Sequence, residues 1–368
     1  MAITVLVFLG CVDGGAPTRP SEFPCADPNF LFAPRYLGDN KGAPLPGTLQ
    51  AGHDQVFFAT SEAVYRAPVG GGDPVRLPDG SDSAAPGTPL GKSIHKFGER
   101  FFLFLAAADR AYLRELPASG TALVGVLDSL PMESGEDVPS VLGMDETYVY
   151  WQARAKFAIP TDVWNLHRMP WSRAGAAEKL LEGGLFINQL LIHGDKLVMA
   201  RKRSSELEVV SMPAAGGSLT WYYPGLSHPL DIIGVDASWL YVRASARLSE
   251  GPDSVRVVQF PISGGIAPVK YLSVFSDVRG AAWLDRDRLV LIDFRTVTPG
   301  KPALDGSTPT FLTLPAFGGK PAQATCLRPA AGSAALTLTD RTFSANSVFL
   351  LVREPSSARV GLIRVWIP

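Results

Sequence analysis

Cysteine and histidine are scarce in this chain: three cysteines and five histidines in 368 residues. His53, His95, His167, His193 and His228 stand apart, none at i, i+4 from another, and there is no CxxC or HExxH, so the sequence offers no zinc site. P-loop, dinucleotide and GxSxG signatures are absent as well. No cofactor is expected on these grounds. Neither sign of charge dominates, with 34 basic against 35 acidic side chains. That balance removes the electrostatic pull toward nucleic acid or an anionic membrane surface. No apolar run, that of the first ten residues included, is long enough to span a bilayer. Helix signals are few, and the best of them, 174–181, is too short to stand alone.

Turn formers are abundant instead: 36 glycines and 31 prolines. They recur in register. An apolar run ends at each of Pro68, Pro117, Pro170, Pro213, Pro261, Pro315 and Pro368, and a glycine pair follows four of them: Gly70-Gly71, Gly216-Gly217, Gly264-Gly265 and Gly318-Gly319. Proline donates nothing to a ladder and marks a strand end, while glycine supplies the positive φ of a tight turn. Upstream of each proline an acid or amide precedes a second apolar run. The residues are Asp54, Glu99, Asp145, Asp195, Asp236, Asp287 and Asn346. Each unit therefore reads as strand A, polar turn, strand B, variable loop, strand C, Pro-Gly turn, strand D. The closing prolines lie roughly 43 to 54 residues apart, the period of a four-stranded propeller blade.

With Tyr150-Trp151 as the nearest match to a YW core, the units resemble the blades of bacterial TolB-like and YWTD-like propellers. The expected fold is all-β: a seven-bladed β-propeller of four-stranded antiparallel blades over residues 29–368. Its last blade ends at Pro368 without a strand D. The N-terminal segment, through Phe30-Leu31-Phe32 or Tyr36-Leu37, is expected to supply that strand and close the ring.

Residues 1–11 read as an export signal, an apolar run ending in a lipobox-like Phe8-Leu9-Gly10-Cys11 with Cys11 as the lipidation site. Residues 12–28 read as a tether. Cys25 and Cys326 remain. In an oxidising compartment the pair suggests a disulfide between the N-terminal segment and strand D of blade six.

Strand alternation places turns A–B and C–D on one face and the long B–C and D–A connections on the other. Rigid frames carry their function on such loops. Strand B is expected to end in arginine in five consecutive blades, at Arg154, Arg201, Arg243, Arg295 and Arg353, and this recurring position forms a candidate site for an anionic ligand. Local pairing with acids such as Glu133, Glu136 and Asp137 is the plainer account of the same residues. The expected function is an exported, lipid-anchored, periplasmic or outer-membrane binding or scaffold module for a protein or glycan of the cell envelope. It would be a monomer, touch no nucleic acid, and meet the membrane only through its lipid. The alternative is a glycan-active or lactone-active enzyme with its site in the central channel.

Overall fold

The computed structural model describes residues 25–26, 28–37, 43–78, 91–106, 111–127, 130–131, 133, 135–137, 139–156, 163–172, 176–203, 206–222, 227–246, 255–264, 270–275, 281–285, 288–293, 310–315, 323–327, 336–344, 346–354 and 358–367. Among them every regular element is a strand. The export segment, Cys11, Arg295 and most of the tether lie outside the described residues.

After β1 (Cys25–Ala26) and β2 (Asn29–Arg35), the strands fall into consecutive groups. The first sheet holds β3 (Gln50–Ala51), β4 (Gln55–Ala59), β5 (Val64–Pro68) and β6 (Val75–Leu77). The second holds β7 (Gly91–Phe97), β8 (Arg100–Ala106), β9 (Ala111–Leu116) and β10 (Val124–Leu127). The third is β11 (Ser140–Met144), β12 (Tyr148–Arg154), β13 (Trp164–Pro170) and β14 (Glu178–Gly184). The fourth is β15 (Phe186–His193), β16 (Lys196–Arg203), β17 (Glu206–Pro213) and β18 (Thr220–Tyr222). The fifth is β19 (Ser227–Val235), β20 (Trp239–Ala246), β21 (Val255–Pro261) and β22 (Lys270–Phe275). The sixth, β23 (Ala281–Asp285), β24 (Arg288–Asp293), β25 (Thr310–Pro315) and β26 (Gln323–Leu327), gains β1 as a fifth, parallel strand. The seventh, β27 (Thr337–Ser344), β28 (Ser347–Arg353) and β29 (Val360–Trp366), is completed by β2. Of the two candidate closing stretches, Phe30 and Phe32 lie in the pairing strand, whereas Tyr36 is half exposed beyond it. Pro34 fits there because β2 is an edge strand. The stretch flagged as the best helix signal is, over its described part, the start of β14.

The repeat has a physical basis in its turns. In Pro68–Gly71, Pro213–Gly216 and Pro261–Gly264 the glycine N–H donates back to the proline carbonyl at 3.1, 2.9 and 3.0 Å, and each glycine has φ between 89° and 99°. The residue after the proline donates across to the A–B turn: Val69 to Asp54, Ala214 to Asp195, Ile262 to Ser238, at 2.9, 2.6 and 2.9 Å. These bonds hold the two turns of a sheet side by side, on one face. The acid before strand B also has a defined task. Asp145 Oδ1 accepts the N–H groups of Thr147 and Tyr148 at 2.7 and 2.6 Å, and its Oδ2 accepts the Tyr150 hydroxyl at 2.7 Å. Asp236 repeats this with Ser238, Trp239 and Tyr241 at 2.8, 2.7 and 2.9 Å. Burial first, then the aspartate's hydrogen bond and charge, pushes both tyrosines well above the usual phenol range.

The B strands carry unbroken apolar runs rather than alternating ones, because both of their faces are covered by neighbouring sheets. Residues 101–106 and 348–352 are buried throughout. Sheets pack in chain order. Phe57 of the first meets Phe101 of the second at 4.5 Å between ring centres. Shared apolar clusters join second to third, third to fourth, and fourth to fifth. Between fifth and sixth, β19 runs beside β23, and Gly234 leaves room for Leu284: a Cβ there would lie 2.6 Å from it. Trp283 stacks on Phe343 between sixth and seventh. The seventh returns to the first: Phe349 and Leu351 share a cluster with Leu31, Phe32, Val56 and Phe58. Burying an aromatic or aliphatic side chain of this size stabilises by about 1.5–3 kcal/mol.

Candidate functional site

Side-chain hydrogen bonds tie sheet to sheet along the turn face. Arg66 donates to the Pro117 carbonyl at 2.7 Å, Arg168 to that of Ala214 at 2.6 Å, and Arg364 to that of Val69 at 3.4 Å. The long connections leave from the opposite ends of the strands. The four described arginines flagged from the sequence, Arg154, Arg201, Arg243 and Arg353, therefore belong to that opposite half of the molecule, but they do not occupy one repeated position.

Arg154 ends β12 and pairs with Asp137 at 2.5 Å, both groups being substantially exposed. Arg353 ends β28. The other two described arginines are inside strands rather than at their ends, because β16 continues to Arg203 and β20 to Ala246. Arg201 is buried, reaches Glu208 at 3.2 Å and lies 5.1 Å over the Trp221 ring. Arg243 is buried and grips its register partner Asp231 through two nitrogens, with Nε at 3.0 and 3.1 Å and a terminal nitrogen at 2.6 Å. Strand parity also differs between Arg201 and Arg154, putting them on opposite faces of their own sheets. Arg201 shares its face with Leu197 and Met199, which pack toward the third sheet, whereas Arg154 shares the face of Tyr150, which packs toward the fourth. Local pairing with the acid expected from the sequence holds for Arg154 and Asp137. Arg201 and Arg243 take strand neighbours that the sequence reading did not name.

A second charged group was missed in the sequence. Asp340 and Arg341 lie on β27, a first strand of its sheet. Asp340 Oδ2 accepts the N–H of Leu49, the residue just before β3, at 2.8 Å, and Oδ1 accepts the Arg341 N–H at 2.8 Å. Burial raises the Asp340 carboxyl, against the pull of these backbone donors. Burial lowers the Arg341 guanidinium, and so does the charge of Arg243, while Asp231 and Asp340 oppose the change. Two acids and two arginines of the fifth and seventh sheets thus share one electrostatic neighbourhood. On β7, His95 sits 2.8 Å from Ser93 Oγ, and burial lowers it to about 4, so it is neutral at physiological pH. The available signal was a charge inside a first strand, as in Leu230-Asp231-Ile232 and Thr339-Asp340-Arg341. The sequence reading gave its weight to B strands instead.

The third charged group is buried beside the connection into the third sheet. Residues 135–137 run against 154–156: Asp137 N–H donates to Arg154 at 2.8 Å, and Lys156 N–H to Gly135 at 2.7 Å. This seats Glu136 in the interior. Its Oε1 accepts Asn165 Nδ2 at 2.6 Å and lies 3.0 Å from His167 Nε2, and its Oε2 accepts the Glu133 N–H at 3.1 Å. The His167 ring stacks on Trp151 with 5.4 Å between centres. Burial alone would raise the Glu136 carboxyl. The Asn165 and Glu133 hydrogen bonds and the contact with His167 outweigh it and hold the group below the usual carboxylate range. Glu133 itself binds Lys179 at 2.6 Å. The three acids read from the sequence as local partners for arginines each have a protein partner, Lys179 for Glu133, Asn165 and His167 for Glu136, and Arg154 for Asp137.

Comparison with solved structures identifies the class: the fold is that of a β-propeller. An oligogalacturonate lyase from Vibrio parahaemolyticus is similar with a TM-score of 0.55 at 10% identity, covering 95% of this chain and 92% of the lyase. YCF48 from Cyanidioschyzon merolae is similar with a TM-score of 0.53 at 8% identity, over 90% and 98% of the two chains. A puromycin-hydrolysing peptidase from Mycobacterium tuberculosis gives 0.52 at 14% identity, over 93% of this chain and 55% of the peptidase. At such identities the likeness extends to the fold alone. The resemblance read from the repeat is upheld at the level of the propeller. No family model matches the chain, and no curated protein matches its sequence.

Proposed function

We propose that the chain is a seven-bladed propeller, closed by β2 as the outer strand of the last blade, that works as a binding or scaffold module. The partner class is a protein or glycan of the cell envelope, held on the face of the long connections. The observation that carries this reading is the lacing of the turns: hydrogen bonds between the A–B and C–D turns occupy one face with structural work. The opposite face keeps the variable loops, and binding on a rigid frame concentrates in such loops. Export rests on the apolar segment at residues 1–11, with Cys11 as the lipid attachment point, and the TolB-like relationship is part of the same proposal.

The test replaces 247–254 and 295–308 with short Gly-Ser links, and separately replaces Gly216-Gly217 and its flanking turn with another tight turn. Each folded variant is assayed against an envelope extract and a glycan array. Binding lost with the first change and kept with the second supports the reading. The reverse pattern contradicts it.

The charged neighbourhood of Asp231, Arg243, Asp340 and Arg341 favours a second reading, a channel site acting on an acidic glycan. Cleavage of uronate-containing oligosaccharides, abolished by Arg341→Met in a folded variant, would establish it in place of the first.

A further inference from the structure

We propose that Cys25 and Cys326 form a disulfide that clasps the N-terminal segment to the sixth sheet. The register places them together. Strand β1 adds to the edge of β26 as the only parallel pair among the described residues, and its two partners are Cys25 with Cys326 and Ala26 with Leu327. Neighbouring strands lie about 4.8 Å apart, inside the Cα separation of about 4.4–6.8 Å that a disulfide spans. Direct ladder partners also occupy the same face of a sheet. The strand β26 is itself anchored, since Thr310 pairs with Cys326 from its other side. Two residues of ladder are a weak hold for a chain terminus. Two of three cysteines in the chain, one from near each end, are the pair that this short ladder aligns.

The bond would act on the seam of the molecule. β2, which completes the seventh sheet, begins three residues after β1 ends. A link at Cys25 therefore fixes the head of the chain to the sixth sheet while β2 fixes it to the seventh. Oxidation joins the two Sγ atoms. The thiols release two protons, and two electrons pass to a disulfide-bearing oxidant, whose own S–S bond is reduced to two thiols. The inference rests on strand register and stands apart from the binding role.

The full chain carrying Cys11→Ser is oxidised with oxidised glutathione, alkylated without reduction, digested and mapped by mass. The expected product is a linked pair of peptides containing Cys25 and Cys326, lighter than their sum by two hydrogen atoms and split by reduction. Reduction of the intact protein lowers Tm by about 5–10 °C. Cys25→Ser, a change in a two-residue edge strand, brings the oxidised protein to that same lower Tm and removes its response to reductant. Alkylation of both cysteines before reduction, or a Tm indifferent to reductant in the Cys11→Ser parent, would overturn the proposal.

Discussion

The turn face and the loop face of this molecule are built differently. On the turn face the same few contacts recur from sheet to sheet: a glycine back to its proline, the next residue across to the A–B turn, and a cation to the following sheet. In the loop half each charged group has found its own solution. Arg154 keeps an exposed pair with Asp137, Arg243 a buried fork on Asp231, and Glu136 an interior site with Asn165 and His167. Repetition marks what the frame requires. Its absence marks where the sheets were left open to diverge.

Substitutions sharpen this contrast. The largest expected loss is at Glu136→Ala, which leaves His167 and Asn165 buried without their acceptor and lowers stability by about 3–5 kcal/mol in denaturant unfolding. A loss under about 1 kcal/mol would mean that the connection is not seated in the sheet. Because the folded carboxyl lies below its unfolded value near 4.5, its contribution is complete above that pH. It fades as pH falls through the lower, folded value, and Glu136→Gln should flatten that acid limb. Next is Asp236→Ala, which strips two turn N–H groups and the Tyr241 hydroxyl of one acceptor and costs about 2–3 kcal/mol. Asp145→Ala should match it if the device is truly repeated. Arg243→Ala is expected to cost about 2 kcal/mol, since a charged hydrogen-bonding group that is mostly buried is lost.

His95→Asn should act only on acidification. The folded imidazole protonates near 4 and the free one near 6.5. Wild-type stability therefore falls across that window and levels below it, and the variant removes the slope. An NMR titration with its midpoint near 6.5 would contradict the burial of His95. Smallest is Arg154→Ala, an exposed pair worth about 0–1 kcal/mol.

The frame was readable because its rules are local. Proline cannot continue a ladder, glycine alone takes the turn φ without strain, and Asp145 or Asp236 bonds its own backbone. These requirements leave residue types at fixed offsets, and strands β5, β9, β13, β17, β21, β25 and β29 fell where the prolines put them. Even the completion of the seventh sheet by the N-terminal segment followed from counting strands, which left open whether Phe30-Leu31-Phe32 or Tyr36-Leu37 would pair. The charged sites were less legible because they depend on parity and on partners far away in sequence. One residue of offset turns Arg201 to the opposite face from that of Arg154. Nothing local in Asp340-Arg341 announces Leu49 or Arg243 as neighbours. Glu136 read as a loop acid available to an arginine, whereas the pairing of 135–137 with 154–156 carries it inside.

Amide hydrogen exchange across the seam tests the central claim most directly. The account predicts that the peptide covering 29–35 is protected together with those covering 347–353 and 360–366, as one cooperative sheet joined to the first. Exchange of 29–35 at the rate of an unstructured terminus, with β28 and β29 still protected, would contradict a ring completed by its own N-terminal segment.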